Sequence, residues 1–137
     1  MVKSITHVVL LALCLFLPLQ ALAESGKGQE QKQAHADYER LAGKWLRPDG
    51  GYILELKEIG KDGSLKAAYF NPRPINVAKA EWRRMGDRLQ VFVELRDLNY
   101  PGSTYTLIYS PEKDLLEGYY FQAVQGQTYT VQFVRAK

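Results

Sequence analysis

The sequence predicts an all-β fold, a small antiparallel up-and-down barrel of seven or eight strands preceded by a signal peptide and a short leader. Three observations predict it. From Gly43 onward, runs rich in Val, Ile, Leu, Tyr and Phe are broken by turn residues at a spacing of about 8–12 residues, the mark of a barrel or sandwich. Within the runs the side chains alternate apolar and polar, as a half-buried strand requires. No helical stretch separates any two runs, so parallel strands joined by crossover helices are excluded.

The chain opens with Lys3, an apolar run from Val8 to Leu19, and Ala21-Leu22-Ala23 before Glu24. That is the layout of a cleaved secretory signal peptide over residues 1–23. An apolar run of about a dozen residues is short of the roughly 20 that span a bilayer, so the mature chain is expected to have no membrane span and to be exported, to a periplasm or the extracellular space. The only cysteine, Cys14, lies inside that run and lacks the small preceding residue of a lipid-anchor site, because Leu13 stands there. The mature domain is therefore expected to hold together by core packing without disulfides.

The 137-residue chain leaves about 114 residues after Ala23, enough for one domain. Of 18 basic and 15 acidic residues only Lys3 is lost with the signal, which leaves a charge of +2 and argues against nucleic acid as a partner. Residues 24–42 read as a flexible leader, polar from Glu24 to Gln33, then carrying Tyr38, Leu41 and Ala42 as one stripe of a short helix. The barrel domain occupies residues 43–137.

Its elements follow in order. Trp45 marks the first strand, closed by Pro48-Asp49-Gly50-Gly51. Tyr52, Leu54 and Leu56 share one face of the second, with Glu55 and Lys57 on the other, before Gly60-Lys61-Asp62-Gly63. The third ends near Tyr69 at Asn71-Pro72-Arg73-Pro74. After Gly86-Asp87, Leu89, Val91, Val93 and Leu95 alternate with Gln90, Phe92, Glu94 and Arg96. Asn99-Tyr100-Pro101-Gly102, Pro111-Glu112-Lys113-Asp114 and Gln125-Gly126 are the remaining turns, and Tyr129, Val131 and Phe133 share a face of the last strand. Closing the meander removes two unpaired edges, which favours a barrel over a two-sheet sandwich.

Catalytic candidates are few. The mature chain keeps one histidine, His35, in the leader, and no thiol nucleophile, metal-ligand cluster or phosphate-binding glycine loop. Glu94 with Asp97, or Glu81 with Glu117, could form carboxylate pairs, but an acid–base pair needs one partner in an apolar pocket and strand positions turn most of these to solvent. The expectation is a binding protein, not an enzyme, with no cofactor and no metal.

Aromatic and hydrogen-bonding residues crowd into two turn segments, Tyr69 to Asn76 and Asp97 to Tyr105. In an eight-strand meander these follow the third and fifth strands and so meet at one end, with the Pro111–Asp114 turn at the other. Tyr69, Asn71, Arg73, Asn99, Tyr100 and Tyr105 are then candidate ligand-binding residues on one rim, where apolar walls and convergent polar groups suit a small ligand. Arg73 between two prolines is the sharpest of them, its backbone stiffened and its guanidinium matched to a carboxylate or phosphate.

Gly43-Lys44-Trp45 with the turn through Gly50-Gly51 resembles the opening of the calycin barrels, the group of lipocalins, fatty-acid-binding proteins and avidins. Asp62-Gly63-Ser64-Leu65 followed by Tyr69 is similar to the second hairpin of the avidin branch, whose residue at the Tyr69 position lines the biotin site. Ser103-Thr104-Tyr105 is similar to the stretch where that family places a ligand-stacking tryptophan. The resemblance also implies that Arg135 packs across Trp45, as in lipocalins. It departs at Arg47 and Gly51, where avidins carry polar biotin ligands, and lacks the late aspartate motif, a lipocalin Thr-Asp-Tyr signature and a C-terminal helix; biotin is not implied.

Two functions follow. One is an exported barrel holding a small amphipathic or aromatic ligand at its mouth. The alternative is a protein-binding module or periplasmic enzyme inhibitor whose partner, another envelope protein, meets the same turns. An interior filled by Leu54, Leu56, Trp82, Val91, Val93 and Tyr119 would favour the second, and a void of several hundred cubic ångströms the first.

Overall fold

A computed structural model describes residues 37–137. The expected signal peptide, Cys14, His35 and the first part of the expected leader lie outside the described residues. One antiparallel sheet of nine strands is present: β1 (Gly43–Arg47), β2 (Tyr52–Lys57), β3 (Lys66–Asn71), β4 (Arg73–Ile75), β5 (Val77–Met85), β6 (Arg88–Asp97), β7 (Tyr100–Ser110), β8 (Leu115–Gln122) and β9 (Gln127–Arg135). Their order is β4-β3-β2-β1-β9-β8-β7-β6-β5, so β1 pairs with β9 and the sheet curls into a nearly closed barrel. Among the described residues no helix is long and apolar enough to cross a membrane.

The count of nine corrects the expected seven or eight. The extra strand is β4, in the stretch expected to be the turn Asn71-Pro72-Arg73-Pro74: only Pro72 lies between β3 and β4, Arg73–Ile75 pair back onto β3, and beyond a break at Asn76 the backbone pairs with β6. Asn76 itself bridges the gap, because its N–H donates to Asp97 Oδ2 at 2.8 Å, its side-chain amide donates to the Arg96 carbonyl at 3.0 Å, and its own carbonyl accepts the Arg96 N–H at 3.0 Å. Further down, the seam is held by Trp82, whose backbone N–H donates to the Gly63 carbonyl at 2.9 Å and whose Nε1 donates to the Gly60 carbonyl at 2.7 Å.

A second correction concerns the turn expected at residues 99–102. Only Leu98 and Asn99 turn; Asn99 takes φ +69°, a conformation asparagine tolerates, and Tyr100 already pairs with Asp97. Pro101 lies within β7, and Gly102, at φ +95°, is the extra residue of a bulge between the Leu95–Ser103 and Arg96–Pro101 pairs.

Alternation puts one face of each strand inside. Leu89, Val91, Val93 and Leu95 of β6, Tyr105, Leu107 and Tyr109 of β7, and Val131 and Phe133 of β9 are buried with Trp45, Leu54 and Leu56. Each such aliphatic side chain contributes about 2 kcal/mol on leaving water. Tyr119 does not belong to this core: it is 60 % exposed, because Leu116 and Tyr120 take the inward parity of β8.

One end is shut. A helical turn over 37–39 lays Tyr38 flat on Trp82, ring centroids 4.9 Å apart, and buries Leu41, whereas Ala42, expected on the same stripe, is exposed. Trp45 Nε1 donates to the Leu41 carbonyl at 2.9 Å. Arg135 lies over the Trp45 ring at 4.1 Å, as the calycin resemblance implied, and its guanidinium donates to Asp114 at 2.7 and 2.8 Å and to the Ala42 and Arg40 carbonyls at 2.7 Å each. Asp114 ends the Pro111–Asp114 turn, which therefore stands at this closed end.

Candidate functional site: a tyrosine-lined cavity at the open mouth

The β1–β2, β3–β4, β6–β7 and β8–β9 turns ring the other end, where the apolar filling stops short and leaves a cavity of about 510 Å³. The interior is thus divided: packed below, hollow above. Five of the eleven residues that line it are tyrosines, Tyr52, Tyr69, Tyr100, Tyr120 and Tyr129; two guanidiniums, Arg47 and Arg73, and the amides of Asn71, Asn99 and Gln122 supply polar groups, and Ile75 an apolar one.

Five of the six residues expected on the rim line this cavity: Tyr69, Asn71, Arg73, Asn99 and Tyr100. The two turn segments do meet, since Asn71 Nδ2 donates to the Tyr100 hydroxyl across the mouth. Tyr105 stands elsewhere. It is 0 % exposed and lies beneath the cavity, stacked on Tyr120 at 4.5 Å and edge-on to Phe133 at 5.3 Å.

A hydrogen-bonded chain forms the floor. The Tyr69 and Tyr105 hydroxyls are 2.8 Å apart, Arg47 Nη1 donates to Tyr105 at 3.1 Å, and Arg47 Nε and Nη2 fork the Asp49 carboxylate at 2.7 and 2.9 Å. Arg47 also lies over the Tyr52 ring at 4.8 Å and the Tyr120 ring at 5.5 Å. Every polar atom of this floor has a partner, which is what allows it to be buried at all.

Charge follows from that arrangement. Burial pushes the Tyr69 hydroxyl well above its ordinary range and Tyr105 up to about 12, the neighbouring tyrosine and guanidinium partly offsetting it at Tyr105. Burial alone would lower Arg47, but its bonds to Asp49 and Tyr105 hold it above the usual guanidinium value, and the same fork keeps the Asp49 carboxyl below its own. Both tyrosines are therefore neutral and Arg47 charged throughout the physiological range.

Sequence reasoning about turns passed over Arg47, Tyr52, Tyr120 and Tyr129. A signal for them was present in strand parity. Tyr52 shares the inward face with Leu54 and Leu56, Tyr129 with Val131 and Phe133, Tyr120 with Leu116 and Gly118, and Arg47 with Trp45; each is the inward position of its strand nearer the mouth. Where an inward stripe of aliphatics gives way to Tyr or Arg, a packed core gives way to a polar cavity.

No family model matches the chain, and neither a curated protein nor a solved structure matches it.

Proposed function

We propose that this chain is an exported binding protein that holds a small amphipathic or aromatic ligand in the cavity at the barrel mouth. The observation that carries the reading is the divided interior: a core packed to one end and, at the other, a cavity of about 510 Å³ lined by five tyrosines, two guanidiniums and three amides. A cavity of this size falls within the roughly 300–1,000 Å³ of small-molecule sites. Tyrosine offers a flat face for stacking and a hydroxyl for orientation at little entropic cost, a combination that suits recognition of a ring-bearing molecule. The lining contains tyrosines, guanidiniums and amides, groups that bind and orient, which supports binding over acid–base chemistry. The barrel architecture and the Arg135–Trp45 stack agree with the calycin resemblance, from which no ligand is carried over.

Export rests on the pattern of residues 1–23, and the N-terminus of the protein isolated from its cells should be Glu24. For the ligand, a thermal-shift screen of small aromatic acids, alcohols and amines compares the wild type with the double variant Tyr52→Ala, Tyr129→Ala. Both residues line the cavity and neither is fully buried, so the variant keeps its circular dichroism spectrum. Compounds that raise the wild-type Tm should leave the variant unmoved; equal shifts in both would remove the cavity as the site.

A second reading, partner-protein binding or enzyme inhibition by the same turns, draws support from two exposed apolar side chains on the mouth turns, Leu98 at 74 % and Val124 at 62 %. If the screen is empty and Leu98→Ser, Val124→Ser abolishes capture of a defined envelope protein, this reading replaces the first.

A further inference from the structure

The cavity's two cations are not equivalent, and the difference points to the charge of the ligand. Arg47 is already committed. Its Nε and Nη2 are taken by Asp49 and its Nη1 by Tyr105, and its side chain is only 12 % exposed. It acts as a wall of the site. Arg73 is held in the opposite way: its side chain is 56 % exposed, and its nearest carboxylate oxygen, Asp97 Oδ1, is 4.0 Å from Nη1, beyond hydrogen-bond distance.

That carboxylate is itself engaged. Asp97 Oδ2 accepts the Asn76 N–H at 2.8 Å and Oδ1 the Leu98 N–H at 2.7 Å, so it ties the β4–β5 junction to the β6–β7 turn. These backbone donors hold its carboxyl below the ordinary range. No residue lining the cavity is acidic. Arg73 is thus an exposed guanidinium at the rim whose donors no protein acceptor takes within hydrogen-bond distance, on a backbone stiffened by Pro72 and Pro74 and paired to Asn71 across the chain reversal.

We infer that the mouth cavity selects anionic ring-bearing ligands, and that Arg73 is the specificity-determining residue, receiving a carboxylate or similar anion at the rim while the ring lies among Tyr52, Tyr100 and Tyr120. This rests on the binding reading above and adds the ligand's charge and polarity to it. The geometry explains why the anion goes to the rim and not the floor: reaching Arg47 would mean displacing Asp49 from a two-pronged bond, whereas Arg73 has donors to offer and loses little freedom in using them. It also orients the ligand, charged end out and ring inward, so that the ionised group keeps part of its hydration.

Three probes of one shape and different charge test this on the full protein: 2-naphthoate, 2-naphthalenemethanol and 2-naphthylmethylammonium, titrated by calorimetry with amide chemical shifts to locate each. Naphthoate should bind about tenfold more tightly than the alcohol, the size of one hydrogen bond to a charged partner, and the ammonium more weakly than either. Arg73→Gln, at an exposed site, should remove most of the naphthoate preference, weakening naphthoate far more than the alcohol. Arg73→Lys should keep part of the preference, as a point charge without the planar fork. Equal binding of the three probes within the cavity would overturn the charge selection and leave the cavity reading standing. A naphthoate preference that survives Arg73→Gln would overturn the assignment to Arg73. Binding of none of them, or shifts that map away from Tyr52, Tyr100 and Tyr120, would take down the binding reading along with this one.

Discussion

Tyr69 and Tyr105 show how a single side chain can serve the core and the site together. Their rings complete the packed half of the barrel, and their paired hydroxyls begin the hollow half. Replacing either with alanine opens a cavity and should cost about 3–5 kcal/mol in urea unfolding, so such variants report on stability before they report on ligand. Phenylalanine is the cleaner probe at Tyr105, because it keeps the ring and leaves Arg47 Nη1 without its acceptor; a loss of about 1–3 kcal/mol is expected. The same burial predicts alkaline behaviour. A tyrosine whose pKa is raised by folding contributes stability that is complete below the ordinary value of 10.0 and is lost as pH rises toward the folded value, about 12 for Tyr105. Absorbance at 295 nm, about where tyrosinate absorbs, should therefore show Tyr69 and Tyr105 ionising only as the barrel unfolds between pH 10.0 and about 12. Their titration at the ordinary value with the fold intact would contradict the buried floor. At the closed end, Arg135→Ala removes the stack on Trp45 together with the Asp114 and backbone bonds, and a loss of about 2–4 kcal/mol is expected.

At the scale of elements, the β-strands were legible in the sequence because a period of two is hard to produce by accident over the length of Leu89 to Leu95 or Tyr52 to Leu56. Strand β4 and the break at Asn76 were not legible, because Asn71 to Asn76 read as a turn; what makes Arg73–Ile75 a strand and ends it is a change of pairing partner from β3 to β6, a tertiary event that leaves no local trace. The site divides along the same line. Asn71, Arg73 and Asn99 stood out by the turn-like composition around them, although Asn71 and Arg73 belong to β3 and β4. Tyr52 and Tyr129 look like any strand tyrosine until the depth of the core beneath them is known. Tyr119 and Tyr120 make the point sharply, since adjacent identical residues face solvent and interior and only the register of β8 on β7 decides which is which. The seam supplies the element-scale prediction. Gly63 sits at φ +91°, its carbonyl takes the Trp82 N–H, and a Cβ added there would lie 2.8 Å from the Trp82 carbonyl oxygen. Gly63→Ala should therefore pry β5 from the β2–β3 turn. Amide exchange at Trp82 would then accelerate far more than exchange in β8 and β9, where pairing is continuous. Uniform acceleration across the sheet would mean that the seam is no weaker than the rest.

As a whole molecule the barrel is a cup. One end is stoppered by Tyr38, Leu41 and the Arg135 clasp, the middle is packed with aliphatic and aromatic side chains, and the upper part is left open to be walled by tyrosines. Packing that continued to the mouth would have added burial and stability, because each further aliphatic residue at the inward positions of Arg47, Tyr52, Tyr120 and Tyr129 would contribute about 2 kcal/mol. An arginine and three tyrosines stand at those positions instead, an arrangement that the proposed ligand would account for. The most direct test is native mass spectrometry of the protein recovered, without denaturation, from the cells that make it, alongside the Tyr52→Ala, Tyr129→Ala variant prepared in the same way. The account predicts a non-covalent small-molecule adduct on the wild type, lost on denaturation and absent from the variant. A wild type that flies bare, or an adduct that the variant carries equally, would contradict it.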